Sequence, residues 1–170
     1  MKRILLILGI TLIIAGQIIG QSGSLLVIGG GSEESGLDGW NAAAYQWAVN
    51  QSENKKVAVI SFTDNSTWLP EHFVSDWGAN FSKVFTISTQ QEANSQALYD
   101  TLVKYDVIFL KGGNQYNYYT TYNDTKTEQA ITDIYNDGGV ICGTSAGLAV
   151  LGDVDFTAES GTVYPYECLE

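Results

Sequence analysis

One segment of the chain, residues 138–151, constrains the fold more than any other. It consists of an apolar run, a turn of small residues with Ser145 at its apex, and a second apolar run. This order predicts a buried strand, a tight turn and a helix. A strained strand-to-helix turn pushes a seryl oxygen out at the end of a sheet, and the N-terminus of the helix directs free backbone N–H groups to the same place. The segment is therefore typical of a nucleophile elbow.

The rest of the chain alternates strand-like and helix-like runs. Apolar, β-branched runs predict strands at 24–28, 56–62, 83–87, 106–110 and 140–143, and apolar residues at helical spacing predict helices at 36–50, 69–77, 93–104 and 125–136. Strands of this kind that alternate with helices indicate a parallel sheet covered on both faces. The fold class we predict is α/β, with a doubly wound, mostly parallel sheet in a three-layer sandwich.

Three glycine-containing turns follow predicted strands. Right-handed crossovers place the carboxyl ends of all parallel strands at one edge of the sheet, and that edge holds the ligand crevice in open α/β folds. The turns are residues 29–31, residues 112–113 and the bend at Ser145. We therefore expect the three turns to surround a common crevice.

Ser145 lies in a Gly-x-Ser-x-Gly pattern with Gly143 and Gly147. In this context we interpret Ser145 as a nucleophile and the backbone N–H of Ala146 as one oxyanion donor, and the alternative is a structural turn serine. The paired glycines before Asn114 and Gln115 could bring backbone N–H groups close to a ligand, or they could form a simple turn. The one histidine, His72, is a weak candidate for the base.

Composition excludes several other classes of function. A formal net charge of −11 repels phosphate backbones, so we expect no nucleic-acid partner, whereas a cationic substrate is compatible with it. The glycines at 29–31 lack the dinucleotide-binding spacing, because Glu34 stands at the last glycine position. The acidic run at 153–159 resembles a calcium loop, but Ala158 and Tyr164 replace its required glycine and glutamate. We expect no cofactor and no metal.

The N-terminus predicts export. Lys2 and Arg3 precede a short apolar run, and small or polar residues follow it. This is the layout of a secretory signal peptide, and the apolar run is shorter than the ~20 residues needed to cross a bilayer. We assign residues 1–21 to a signal peptide and residues 22–170 to one α/β domain, exported to the periplasm or the exterior, without stable membrane insertion after cleavage. The alternatives are an uncleaved anchor and a buried helix.

Two further side-chain environments can be anticipated. Cys142 falls within an apolar strand, so we expect a buried free thiol rather than a disulfide. Tyr116, Tyr118, Tyr119 and Tyr122 form either a stacking rim for a ligand or a partly exposed helix edge, and we favour the helix edge.

With the elbow, the Gly-Gly-Asn-Gln loop and the opening Gly-Gly-Gly-Ser-Glu on one edge, the chain resembles the cyanophycinase and dipeptidase E family of serine peptidases. The resemblance covers Leu25 to the C-terminus. It implies a flavodoxin-like, class I glutamine amidotransferase-like fold, with Ser145 as the nucleophile, Gly113 and Ala146 as the oxyanion hole and Gln115 at the substrate. The implied substrates are aspartyl peptides or cyanophycin, a polymer with a poly-aspartate backbone and arginine side groups. A homodimer is left open.

The chain departs from this family in its base and acid. The catalytic histidine of the family lies downstream of the elbow in an Asp-x-His segment, which does not occur here, and the acidic partner could be Glu159, Glu167 or neither. Because a seryl hydroxyl without a base is a poor nucleophile, we expect the 170 residues to be the N-terminal part of a longer peptidase and nearly inactive alone. The alternatives are a catalytically inactive peptide-binding domain and an α/β-hydrolase-type esterase.

Overall fold

The computed structural model describes residues 22–152, 155–157 and 168–169. The predicted signal peptide at 1–21 lies outside the described residues, and so do Glu159 and Glu167. The strands of the described part are β1 (Ser24–Ile28), β2 (Lys56–Ser61), β3 (Phe81–Thr86), β4 (Val107–Leu110), β5 (Val140–Thr144), β6 (Asp155–Phe156) and β7 (Cys168–Leu169). Its helices are α1 (Ala42–Asn50), α2 (Trp68–Ser75), α3 (Gln90–Ala93), α4 (Gln96–Leu102), α5 (Gln115–Tyr122), α6 (Lys126–Asn136) and α7 (Ala146–Ala149).

Five strands form one parallel sheet in the order β1-β5-β4-β2-β3. The short strands β6 and β7 form a separate antiparallel pair. The predicted doubly wound parallel sheet is therefore confirmed. Its strand order, which places β5 between β1 and β4, was not predicted from the sequence.

Two hydrophobic clusters cover the two faces of the sheet. Successive side chains of a strand point to opposite faces, so one strand contributes to both clusters. The cluster on the side of α1 and α2 includes Tyr45, Phe73, Trp77, Val59, Phe109 and Cys142. The cluster on the side of α3 to α7 includes Leu102, Tyr118, Ile134, Ile60, Ile108 and Ile141. The result is a three-layer α/β/α arrangement with a fully buried centre.

Two predicted helices differ from the observed ones. The predicted helix at 93–104 is two helices, because Ser95 has extended backbone angles and its side chain caps α4 by accepting a hydrogen bond from the N–H of Leu98. The predicted helix at 36–50 begins only at Ala42. Contacts within the segment and with α2, described below, hold residues 29–41 in a loop that ends in bends and a turn.

The tyrosine-rich stretch forms α5, but two of its tyrosines are more buried than we expected for a partly exposed helix edge. Tyr118 and Tyr122 are buried, and their hydroxyls donate to the carbonyls of Lys111 at 2.8 Å and Ile87 at 3.0 Å. Burial raises the pKa of Tyr118 to about 12. These two side chains therefore belong to the core, and this part of the stretch is not a stacking rim. Among the described residues, no helix combines the length and apolar character needed to span a membrane.

Candidate active site

The strand order brings three turns side by side. β5 pairs with β1 on one side, where Ile28 lies opposite Thr144, and with β4 on the other, where Leu110 lies opposite Gly143. The turns after these strands are residues 29–31, residues 112–113 and the bend at Ser145. The expectation that they share one edge holds, and the structure adds that they are direct neighbours with Ser145 in the middle.

Ser145 has the backbone of a sharp bend. Its φ is 52° and its ψ is −117°, a combination that side-chain-bearing residues rarely adopt, and the residue is solvent-exposed. Such a conformation costs on the order of 1–3 kcal/mol and persists only where the surroundings enforce it. Here the N–H of Ser145 donates to the carbonyl of Ile28 at 2.9 Å, and its carbonyl accepts from Leu148 and Ala149 at 3.0 Å.

The glycines on either side of the bend are required by close packing. A Cβ on Gly143 would lie 2.2 Å from the carbonyl oxygen of Gly147, and a Cβ on Gly147 would lie 2.2 Å from the carbonyl oxygen of Leu110. Both obstacles are backbone atoms, which cannot rotate away. The Gly-x-Ser-x-Gly spacing therefore allows α7 to fold back tightly against β5 and β4, and this packing holds Ser145 at the apex.

The flanking turns reach the serine side chain closely. A Cβ on Gly30 would lie 3.4 Å from the Cβ of Ser145, and a Cβ on Gly112 would lie at the same distance. Backbone from the β1 turn and from the β4 turn thus forms two walls beside the hydroxyl. Backbone at this distance is suited to hydrogen bonding with a substrate that approaches Ser145.

The residues predicted to assist Ser145 lie at the same edge. Gly113 follows Gly112 in the β4 turn and is exposed, and Ala146 is the first residue of α7, where a helix N–H has no intrahelical acceptor. Gln115 begins α5, and its amide nitrogen donates to the carbonyl of Phe156 at 2.8 Å. Gln115 therefore also connects this edge to the segment that follows the elbow.

An ion pair joins the β4 turn to the loop after β2. The ammonium of Lys111 hydrogen-bonds to the carboxylate of Asp64, and Lys111 is largely buried. This bond, together with the backbone N–H of Ser66, lowers the pKa of Asp64. The pair holds the residue that precedes Gly112 and Gly113. Because Asp64 is 47 positions away, sequence spacing offers no signal for the pair.

His72, the weak candidate for a base, lies in α2. Its Nδ1 is 2.6 Å from the Oδ2 atom of Asp76, and its ring packs against Trp68 at an interplanar angle of 57°, with 4.5 Å between ring centroids. The same Oδ2 atom accepts from the backbone N–H of Gly36 at 2.6 Å. Hydrogen bonds from the Ser75 hydroxyl, the Gly36 amide and His72 lower the pKa of Asp76. His72 is thus bonded to the carboxylate of Asp76, which attaches the 29–41 loop to α2 through Gly36.

The loop at 29–41 is itself ordered by a residue that the sequence analysis did not select. Asn41 is fully buried, and its side-chain amide accepts from the N–H of Glu34 at 2.8 Å and donates to its carbonyl at 3.1 Å. Trp40 beside it donates its indole N–H to the carbonyl of Ser32 at 2.9 Å. The available signal was that Asn41 is a polar residue directly before an apolar helix. That pattern would have indicated a helix cap, not a side chain that bonds to the backbone of Glu34 in the preceding loop.

Two other predictions concern the interior and metal ligands. Cys142 is buried and has a free thiol, as expected, and burial raises the pKa of that thiol well above its usual range. Within the described ranges, no group of three or more His, Cys, Asp or Glu side chains is arranged to hold a metal ion. The described residues at this edge bring a serine hydroxyl next to the backbone of Gly30 and Gly112.

Comparisons with known proteins identify a family and similar structures. The model of peptidase family S51 matches residues 25–169. A peptidase from an acI-B1 Actinobacterium has a similar structure, with 19% sequence identity and a TM-score of 0.66 over 80% of this chain and 59% of that one. A Listeria monocytogenes EGD-e protein assigned as a peptidase E is similar at 16% identity and a TM-score of 0.49, over 85% of this chain and 73% of that one. No curated protein matches. The chain thus spans 59% of the length of the actinobacterial peptidase, with which it shares the fold.

Proposed function

Because the chain belongs to peptidase family S51, we propose that it is a serine-type peptidase of the dipeptidase E and cyanophycinase type, with Ser145 as its nucleophile. One observation carries the proposal. Ser145 is exposed at a φ of 52°, at the carboxyl end of a central parallel strand, between two glycines that close packing requires. A peptidase needs a hydroxyl held in this way, because the scissile carbonyl must reach it while backbone amides face the same point.

The proposed reaction is acyl transfer in two steps. The Oγ atom of Ser145 attacks the carbonyl carbon of the peptide bond, and the carbonyl oxygen becomes an oxyanion. The backbone N–H groups of Gly113 and Ala146 would stabilise that oxyanion, a contribution of about 2.7–4 kcal/mol for one such donor in other hydrolases. The base passes the hydroxyl proton of Ser145 to the amine, which leaves as the C–N bond breaks. Water then cleaves the ester, releases the acyl group as a carboxylic acid and restores the hydroxyl of Ser145. Gln115 would contact the substrate beside this point.

The proposed substrates are aspartyl peptide bonds, in cyanophycin or in small peptides that contain aspartate. The resemblance to the family supports this choice, and the net charge of −11 is compatible with the arginine side groups of cyanophycin. The signal-like N-terminus supports an exported location, and a homodimer is compatible with the proposal.

The described residues do not contribute a base for Ser145. Among them, no side chain hydrogen-bonds to the Ser145 hydroxyl, and His72 is paired with Asp76. The family resemblance implies a histidine downstream of the elbow. We propose that the base comes from outside the described part of the chain, with Glu159 or Glu167 as candidates for its acidic partner.

Substitution of the nucleophile tests the proposal. The assay measures hydrolysis of aspartyl dipeptides and cyanophycin by the gene product and by its Ser145→Ala variant, with Ser35→Ala as a control in another exposed serine. We expect Ser145→Ala to lower kcat by at least about three orders of magnitude, because the reaction loses its nucleophile. Activity that survives in Ser145→Ala would remove Ser145 from the mechanism.

A second candidate function is a catalytically inactive peptide-binding domain. It is favoured by the observation that His72, the one histidine in the sequence, is bonded to Asp76. Isothermal titration calorimetry with the same peptides separates the two functions. Binding without turnover by the wild-type protein would support the binding domain, and turnover that depends on Ser145 would exclude it.

A further inference from the structure

Trp40 exposes a large aromatic face next to the crevice. Its side chain is 47% exposed, although a tryptophan gains more from burial than almost any other residue. The six-membered ring of the indole lies against the β1 turn, where a Cβ on Gly31 would lie 3.1 Å from the Cζ2 atom, 3.6 Å from Cε2 and 3.7 Å from Cη2. One side of the ring therefore rests on the protein, and the rest of the ring remains available to a ligand.

This aromatic face lies within reach of the Ser145 hydroxyl. A Cβ on Gly31 would lie 3.1 Å from the indole, and a Cβ on the preceding residue, Gly30, would lie 3.7 Å from the Oγ atom of Ser145. Because consecutive Cα atoms are about 3.8 Å apart, this path places the indole within roughly 14 Å of the Oγ atom. A peptide of about four extended residues spans that distance. A substrate bound at Ser145 can therefore place one of its side chains on Trp40.

The position of Trp40 is fixed before any ligand binds. Its indole N–H is bonded to the carbonyl of Ser32, and the buried side chain of Asn41 clasps both backbone groups of Glu34. The backbone N–H of Gly36 is bonded to Asp76 on α2. A ligand that binds to a side chain held in this way loses less free energy to ordering than one that binds to a mobile side chain.

The charge of the surrounding loop is uniformly negative. Residues 29–41 contain Glu33, Glu34 and Asp38, and no lysine or arginine occurs between residues 4 and 54. Lys111, which directly precedes the β4 turn, is paired with Asp64. An indole face is attracted to cations through its quadrupole, and nearby carboxylates add to the attraction.

We propose that Trp40 forms a subsite that binds a positively charged side chain of the substrate against its ring face. This specificity determinant rests on the proposed function of the same crevice and adds a residue to it. The subsite would accept a guanidinium or an ammonium group and would discriminate against neutral side chains of the same shape.

The test measures binding separately from hydrolysis. In a series of Gly-Asp-Gly-Gly peptides, arginine replaces one glycine at a time. A matched peptide with citrulline at the same position is the neutral control, because citrulline has nearly the same shape without the charge. Calorimetry gives the Kd of each peptide for the Ser145→Ala protein, in which nothing is hydrolysed. At one position we expect arginine to bind roughly three- to tenfold more tightly than citrulline.

Substitution of Trp40 must remove that preference. In the Ser145→Ala background, Trp40→Ala is expected to bring the ratio of the two Kd values to about one, and Trp40→Phe is expected to retain part of it, because phenylalanine keeps a weaker ring face. Trp47→Ala is the matched control, since Trp47 is 41% exposed on α1 and outside the loop. A preference that survives Trp40→Ala, or that Trp47→Ala removes equally, overturns the proposal.

The two proposals fail in different ways. Arginine-selective binding that requires Trp40, in a full gene product whose wild-type form hydrolyses nothing, would support the subsite and count against the peptidase. Hydrolysis that requires Ser145 but shows the same kcat/KM for arginine and citrulline peptides would support the peptidase and overturn the subsite.

Discussion

The packing of Gly147 against β4 yields a quantitative prediction for Gly147→Ala. The added methyl would lie 2.2 Å from the carbonyl oxygen of Leu110 and 2.8 Å from that of Lys111, whereas carbon atoms make ordinary contacts at about 3.5 Å. The two backbone segments must therefore separate by about 1 Å. Overpacking of this kind costs typically 1–3 kcal/mol, and we expect a value of about 3 kcal/mol because neither obstacle can rotate away.

Two measurements follow from this magnitude. For a domain of this size, 1 kcal/mol shifts Tm by about 2–4 °C, so Gly147→Ala should lower Tm by about 6–12 °C. The same 1 Å displacement would move the Ser145 hydroxyl relative to its amide donors, and a misplacement of that size can cost about 100-fold in kcat/KM. Calorimetric unfolding measures the first effect, and aspartyl peptide hydrolysis measures the second.

Gly29→Ala provides the matched control. Gly29 lies in the turn after β1, and a Cβ there would meet no atom within 4 Å. We expect its unfolding free energy to change by less than about 0.5 kcal/mol. If Gly147→Ala proves no more destabilising than Gly29→Ala, the argument that close packing requires glycine at position 147 is wrong.

Three further predictions concern contacts outside the elbow. Because the Lys111 hydrogen bond lowers the pKa of Asp64, the stability that this pair contributes is complete above the unfolded pKa of about 3.9 and is lost as pH falls through the lower folded value. In urea unfolding, Asp64→Asn should therefore weaken the decrease of unfolding free energy between about pH 5 and about pH 2. An unchanged pH dependence would contradict this. Asp76→Ala removes the acceptor of the Gly36 N–H, so hydrogen exchange of that amide should accelerate. Unchanged protection would contradict the attachment of the loop to α2 through this hydrogen bond. The buried Cys142 thiol should resist alkylation until the protein unfolds, and mass spectrometry that finds it modified in the native protein would show that the strand opens.

Side-chain periodicity and turn composition were sufficient to predict much of the fold. The strand at 24–28 was predicted at its observed bounds, and β5 was predicted to within one residue. These predictions succeeded because the residues involved are consecutive and their apolar pattern reports burial directly. The helices at 36–50 and 93–104 were predicted less well, since distant partners and a capping serine determined where they begin and end.

The candidate site divides in the same way. By itself, the sequence determined that Ser145 stands at a bend between two glycines after a buried strand, because the chemistry of a tight turn is local. Only the tertiary structure decided that β5 lies between β1 and β4, that Asp64 pairs with Lys111 and that Asp76 holds the amide of Gly36 from 40 positions away. Strand order and such long-range pairs depend on which helices cover each face of the sheet. Burial summed over the whole chain determines that arrangement, so it leaves no local pattern in the sequence.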